Sequence, residues 1–216
     1  MSFNSIVKSA PNANCFALWA DAATKVIYAW GGAGPYGDTT GASNVHLWAF
    51  TPDNQGAGSW AVSIPNNPSV FTTLIRASEG GATSCNGMAY FLGGVAEHDT
   101  DTRVSGTIYS PPGLLTYDMS SATWENVSAP APYATFNFGQ VECLPFGPDG
   151  LVMFFGGGSN SPTDNAEFTP FSLNNLTIYN PATKEWFWQS TSGDVPPHRN
   201  QFCSVGVAGN NGTYEM

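Results

Sequence analysis

The chain has 216 residues, enough for a sizeable core, and 42% apolar with 13% aromatic residues marks a packed globular protein. Charged residues are only 10%, so Asn, Ser, Thr and Gly carry the polarity, and 24 glycines and 16 prolines suit frequent tight turns. Six Lys and Arg against a net charge of −10 exclude the basic footprint of a nucleic-acid binder and disfavour anionic membranes.

In chain order, MSFNSIVKSAPNAN (1–14) lacks the apolar core of a signal peptide and offers at most an outer strand. A weak turn at Asp21 to Lys25 leads into the apolar run VIYAWGG, which ends at Gly31-Gly32. A long coil (33–44) follows, then a strand ending in Phe50, a glycine-bearing turn, and a strand carrying Trp60. The same order returns twice. Asn86-Gly87 precedes MAYFLGG, ending at Gly93-Gly94, and Tyr117 and Trp124 follow a coil over 95–113. Pro148-Asp149-Gly150 precedes LVMFFGGG with Gly156-Gly157, and Tyr179 and Trp186 follow a coil over 159–174. Asn210-Asn211-Gly212 then opens another round that stops before any diglycine.

The first glycines lie 62 and 63 residues apart, and the tryptophans 64 and 62. A fixed period of this kind signals a repeat architecture, with each repeat reading as four short strands joined by hairpin turns. A diglycine after a buried strand permits positive φ and close backbone approach. The aromatic and the tryptophan fill the gap between neighbouring twisted sheets, each tryptophan burying roughly 150–250 Å². These residues are therefore structural.

Diglycine, aromatic and tryptophan in this order resemble the repeat of the kelch and galactose-oxidase-like β-propellers. The stretches ALWADAATKVIYAWGGAGPYG, SVFTTLIR and HRNQFCSVGVAGNNGTYEM resemble more specifically a group of fungal single-pass membrane kelch proteins, over about residues 17–216. The resemblance implies an all-β, kelch-type propeller in a single partial domain. Its blades would span about 15–64, 82–128 and 139–190, with the start of a fourth at about 199–216. Propellers close as rings of about 4–8 blades, so the expected ring is incomplete and the chain reads as part of a longer protein. Members of that group carry a secretion signal and one membrane helix. The expected location is thus the secretory pathway or cell surface, or the cytosol should the chain be complete.

Cys15, Cys85, Cys143 and Cys203 fall one per repeat, in or beside a first strand. Two disulfides are the extracellular alternative, with three connectivities. First strands lining a channel are expected to stand beyond the roughly 7 Å limit for bridging, which favours four free, buried thiols. No CxxC or CxH spacing supports zinc. His46 reads as structural, and the EHDTD run around His98 as a solvated loop. No catalytic, cofactor-binding or metal-ligating set is expected, and no run matches the copper ligands of galactose oxidase.

Long loops on a rigid scaffold concentrate binding residues. Connections between second and third strands emerge at one end and mix acids with aromatics. The candidate face is Tyr36, Asp38, Asp99, Asp101, Tyr109, Asp164 and Phe168, with Arg76 and Arg199 as equivalent arginines nearer the channel mouth. Sequons at Asn126, Asn175 and Asn211 tilt toward the secretory pathway. The expected function is a non-catalytic scaffold for a protein or carbohydrate ligand. The alternatives are a fragment of a copper-radical or hydrolytic enzyme, and a cytosolic kelch adaptor.

Overall fold

A computed structural model describes residues 12–35, 46–53, 55–161 and 168–216. The chain is all-β, dominated by three four-stranded antiparallel sheets whose strands are arranged in chain order. The first sheet comprises β1 (Ala17–Ala20), β2 (Ile27–Trp30), β3 (Leu47–Pro52) and β4 (Gly58–Ser63). The second comprises β5 (Gly81–Cys85), β6 (Met88–Leu92), β7 (Leu114–Asp118) and β8 (Thr123–Val127). After β9 (Phe136–Asn137) come β10 (Gln140–Leu144) and β11 (Leu151–Phe155), then β12 (Gly158–Ser159) and β13 (Thr169–Pro170), then β14 (Asn175–Asn180) and β15 (Glu185–Ser190). The third sheet runs β10-β11-β14-β15, and β9, β12 and β13 pair in a small sheet beside it. A hairpin of β16 (Val207–Ala208) and β17 (Tyr214–Glu215) closes the order.

Registers explain why the repeated residue types recur. Phe50 stands opposite Trp60, Tyr117 opposite Trp124 and Tyr179 opposite Trp186, with ring centroids 5.3, 4.9 and 5.0 Å apart. Each motif pair is therefore a cross-strand aromatic pair on one sheet face. Trp124 inserts against the first sheet, 5.8 Å from Trp19 and 5.3 Å from Trp30. Tyr179 meets Tyr90 of the second sheet at 6.3 Å, and Trp186 donates its indole N–H to the Ser128 carbonyl at 3.2 Å. The motif pair thus faces the preceding sheet. Phe50 and Trp60 accordingly sit on the far face of the first sheet, with exposed Leu18, Ile27 and Val62 on that face.

First strands lie side by side: β1 contacts β5, and β5 contacts β10. The sheets fan out from that line, and apolar side chains fill the wedges. One core cluster joins the first and second sheets, another the second and third, and a smaller one seats Phe202 and Tyr214 on the third. A short helix α1 (Pro68–Phe71), not anticipated from sequence, packs Phe71 5.5 Å from Trp124. Asn67 just before it clamps the backbone of Trp124, accepting from its N–H at 2.9 Å and donating to its C=O at 2.7 Å.

The proximity of first strands corrects the cysteine expectation. Cys85 and Cys143 form a disulfide with Cα atoms 5.5 Å apart, because β5 and β10 abut rather than stand across an open channel. Cys15 and Cys203 carry free thiols, and both are exposed rather than buried.

Candidate functional site

The connections between second and third strands emerge at one end of the sheets, together with the lead-ins to the first strands. Each diglycine lies at this end, directly after β2, β6 or β11, with positive φ at all six glycines. The second glycine donates its N–H to the next repeat: Gly32 to Ala77 at 3.0 Å, Gly94 to Phe136 at 2.8 Å, and Gly157 to Arg199 at 2.6 Å. A side chain at Gly93 would run into the backbone of Phe136, so glycine is required there by close approach as well as by φ.

Two residues beyond each acceptor sits a residue with positive φ. Glu79, Phe138 and Gln201 have φ of 61°, 59° and 50°, and Cys15 has 53°. These four are joined in series by hydrogen bonds. Glu79 N–H donates to the Cys15 carbonyl at 3.3 Å, Phe138 to Glu79 at 3.0 Å, and Gln201 to Phe138 at 2.8 Å. The ladder runs across the repeats and joins residues that lie outside the strands themselves. Cys, Glu, Phe and Gln do not advertise positive φ, so sequence reasoning missed it. The only signal was the glycine that follows Glu79 and Phe138.

The ladder also fixes the register of the arginines. Arg199 aligns with Ala77, so Arg76 aligns with His198 and the two arginines are not equivalent. That one-residue offset turns the side chains to different sides. Arg76 is buried whereas Arg199 is exposed.

The loop over 95–113 is pinned by its own charged residues. Asp101 is fully buried. Its carboxylate accepts from the Arg76 N–H at 3.1 Å and from Arg103 Nε at 2.9 Å, and pairs with Arg103 Nη2 at 2.6 Å. Arg103 also donates to the carbonyls of Thr72 and Leu74, and Thr100 Oγ1 donates to the Arg76 carbonyl at 3.0 Å. Burial would raise the Asp101 carboxyl, but the Arg103 hydrogen bonds and two backbone N–H groups outweigh it and hold its pKa below the ordinary range. Burial lowers the Arg76 guanidinium, against the pull of Asp101. The Asp101 carboxylate thus holds the loop on the scaffold, with Arg76 taking part through its backbone N–H and C=O.

Other candidates remain accessible. Asp99 is half-buried and its carbonyl accepts the Gly34 N–H at 2.7 Å. Tyr109 is half-buried, its phenol raised by burial and the Asp101 charge. Phe168 packs edge-on to Phe138 at 5.8 Å. Tyr36, Asp38 and Asp164 lie outside the described residues. Asn126, Asn175 and Asn211 are all exposed.

Successive loops touch. Gly34 bonds to Asp99, and the Ser110 N–H donates to the Ser161 carbonyl at 3.3 Å. Deeper, Asn137 Nδ2 donates to Ser110 Oγ at 2.7 Å and to Asn160 Oδ1 at 2.6 Å. The described parts of the loops therefore join into one surface, with different character at its two sides. Around Cys15 it is acidic: burial and Glu97 raise the Glu79 carboxyl, burial and Asp99 raise Glu97, and partial burial and Glu79 raise the Cys15 thiol. Around Phe138 the described lining is neutral, made of aromatic rings and amides.

Among the described residues no three His, Cys, Asp or Glu side chains are grouped to hold a metal ion, and no helix is long and apolar enough to cross a membrane. No protein-family model and no curated protein sequence matches the chain.

Proposed function

We propose that the three sheets are consecutive blades of a kelch-type β-propeller whose loop face is a non-catalytic recognition surface for a protein or carbohydrate partner. The observation that carries this reading is the continuity of that face. Loops of successive sheets bond to one another and are seated on a backbone ladder that spans the repeats, which gives ligand-contacting side chains a preorganised base. The repeated cross-strand aromatic pairs, each turned toward the preceding sheet, support the propeller reading. So does the apolar face of the first sheet that carries Phe50 and Trp60, where Leu18, Ile27 and Val62 are exposed, which resembles the faces buried between sheets. The Cys85–Cys143 bridge favours an oxidising compartment, in line with the exposed sequons.

The test is capture of a partner from a secretory-pathway extract by three immobilised proteins. These are the native chain, a loop-face variant (Glu97→Ser, His98→Ser, Asp99→Ser, Arg199→Ser), and a variant of the opposite end (Asp149→Ser, Lys184→Ser). Loss of the captured partner only in the loop-face variant is expected. Full capture by that variant would refute the assignment of the face.

A further inference from the structure

On the neutral side of the loop face a cleft of about 260 Å³ is lined by Phe138, Asn160, Phe168, Asn200 and Gln201. Among the described residues no lining side chain is ionisable. The cleft offers two aromatic rings, set edge to face at 5.8 Å with an interplanar angle of 63°, and three primary amides.

The amides and rings are held from behind. Asn160 is 6% exposed, and its Oδ1 accepts from Nδ2 of the wholly buried Asn137. That bond fixes the Asn160 side chain on a buried network at the floor of the cleft. Phe138 and Gln201 both occupy positive φ and are joined by the Gln201 N–H to Phe138 carbonyl bond. Bulky residues rarely adopt that conformation, and it persists where the surroundings over-determine it. Here the ladder does so, and two ladder residues in succession project into one cleft.

The lining selects against most ligand classes. Among the described lining side chains a charged ligand finds no opposite charge. A wholly apolar ligand would strip water from three amides and leave them unpaired, which is unfavourable. A ring with one apolar C–H face and hydroxyls on its edge satisfies both halves, because each primary amide donates and accepts, as does each hydroxyl. The volume lies below the roughly 300–1,000 Å³ of drug-sized sites, which suits a single ring. We propose that this cleft is a subsite for one neutral pyranose of a glycan, an inference that rests on reading the loop face as the recognition surface.

The test is saturation-transfer difference NMR on the intact chain. The probes are methyl α-mannopyranoside, methyl β-glucopyranoside and methyl β-galactopyranoside, with glucuronic acid as a charged control. At least one methyl glycoside is expected to bind, with Kd on the order of 1 mM and strongest transfer to the C–H groups of one ring face. Phe168→Ala and Gln201→Ala should each weaken binding about tenfold or more, whereas Asp149→Ser at the opposite end should leave it unchanged. Both cleft substitutions fall on residues that are not fully buried, and unaltered thermal melts establish that the fold is kept. Absence of transfer from all three glycosides overturns the proposal, as does unchanged affinity in both cleft variants. A protein partner that the loop-face variant fails to capture, and that saturating glycoside does not displace, would sink the glycan subsite while sparing the recognition face.

Discussion

The three motif tryptophans provide a graded test of the packing, because one sequence motif places them in three environments. Trp124 is 3% exposed, with Trp19, Trp30, Tyr117 and Phe71 rings between 4.9 and 5.8 Å away. Truncation to Ala there should cost about 3–5 kcal/mol. Trp186 is half-buried, stacks on Phe154 at 5.5 Å and Tyr179 at 5.0 Å, and donates to Ser128; about 2–3 kcal/mol is expected from partial burial and the lost hydrogen bond. Trp60 is half-buried on the face turned away from the second sheet, and about 1–2 kcal/mol is expected. Among the described residues the buried Nε1 of Trp124 has no hydrogen-bond partner, so Trp124→Phe, which loses no hydrogen bond and keeps a ring in the cluster, should cost clearly less than Trp124→Ala. Urea unfolding followed by far-UV circular dichroism measures each difference, with an unchanged m-value showing that only stability moved. Equal losses at Trp60 and Trp124 would refute the reasoning, since they would mean that the far face of the first sheet is covered in solution.

Thiol titration of the native, unreduced chain should count two accessible thiols, Cys15 and Cys203, and four after reduction. Replacing both Cys85 and Cys143 with Ser removes a bridge spanning 58 residues, worth about 4 kcal/mol by loop-closure entropy. Because the folded Asp101 pKa is depressed, its stabilising contribution is complete above the ordinary aspartate value of about 3.9 and falls away as pH drops through the folded value. Asp101→Asn should therefore flatten the acid limb of a stability–pH curve. Glu79 and Glu97, with raised values, act in the opposite sense: their share is complete below the ordinary glutamate range and is lost as pH rises through the folded values. Gly93→Ala should abolish cooperative folding, whereas Gly106→Ala, with φ of 92° but open space around its Cβ, should cost only the conformational strain; thermal melts of the two variants separate the effects.

The repeat was legible because its residues carry steric demands that survive in the sequence. Only glycine fits beside the Phe136 backbone, and only large rings fill the wedge between fanned sheets. The hairpin at Asn86-Gly87 was legible for the same reason, since both residues adopt positive φ. The disulfide was not, because cysteine spacing does not reveal which first strands abut. The equivalence of Arg76 and Arg199 failed by a single residue, since similar local sequence cannot fix register where the alignment is set by hydrogen bonds between repeats. Asp101 looked like a surface acid in a polar loop. Only the positions of Arg103 and the Arg76 backbone show its carboxylate committed inward.

That commitment separates the loop face into residues that build it and residues it presents. Asp101, Arg103 and Thr100 are bound to backbone or to one another, and Asn137 to the Ser110 and Asn160 side chains, so their substitution should alter stability and recognition together. The ladder works differently, because its bonds join backbone N–H to backbone C=O and leave the side chains at positions 15, 79, 138 and 201 unconstrained by it. The four residues there are Cys, Glu, Phe and Gln, as chemically distinct as a repeated position allows. Such a frame permits the chemistry of the face to change without changing its backbone. Gln201→Asn, which keeps the amide and tolerates positive φ better, should therefore leave stability unchanged or slightly raised while shortening the reach into the cleft, which would separate presentation from framework at one position.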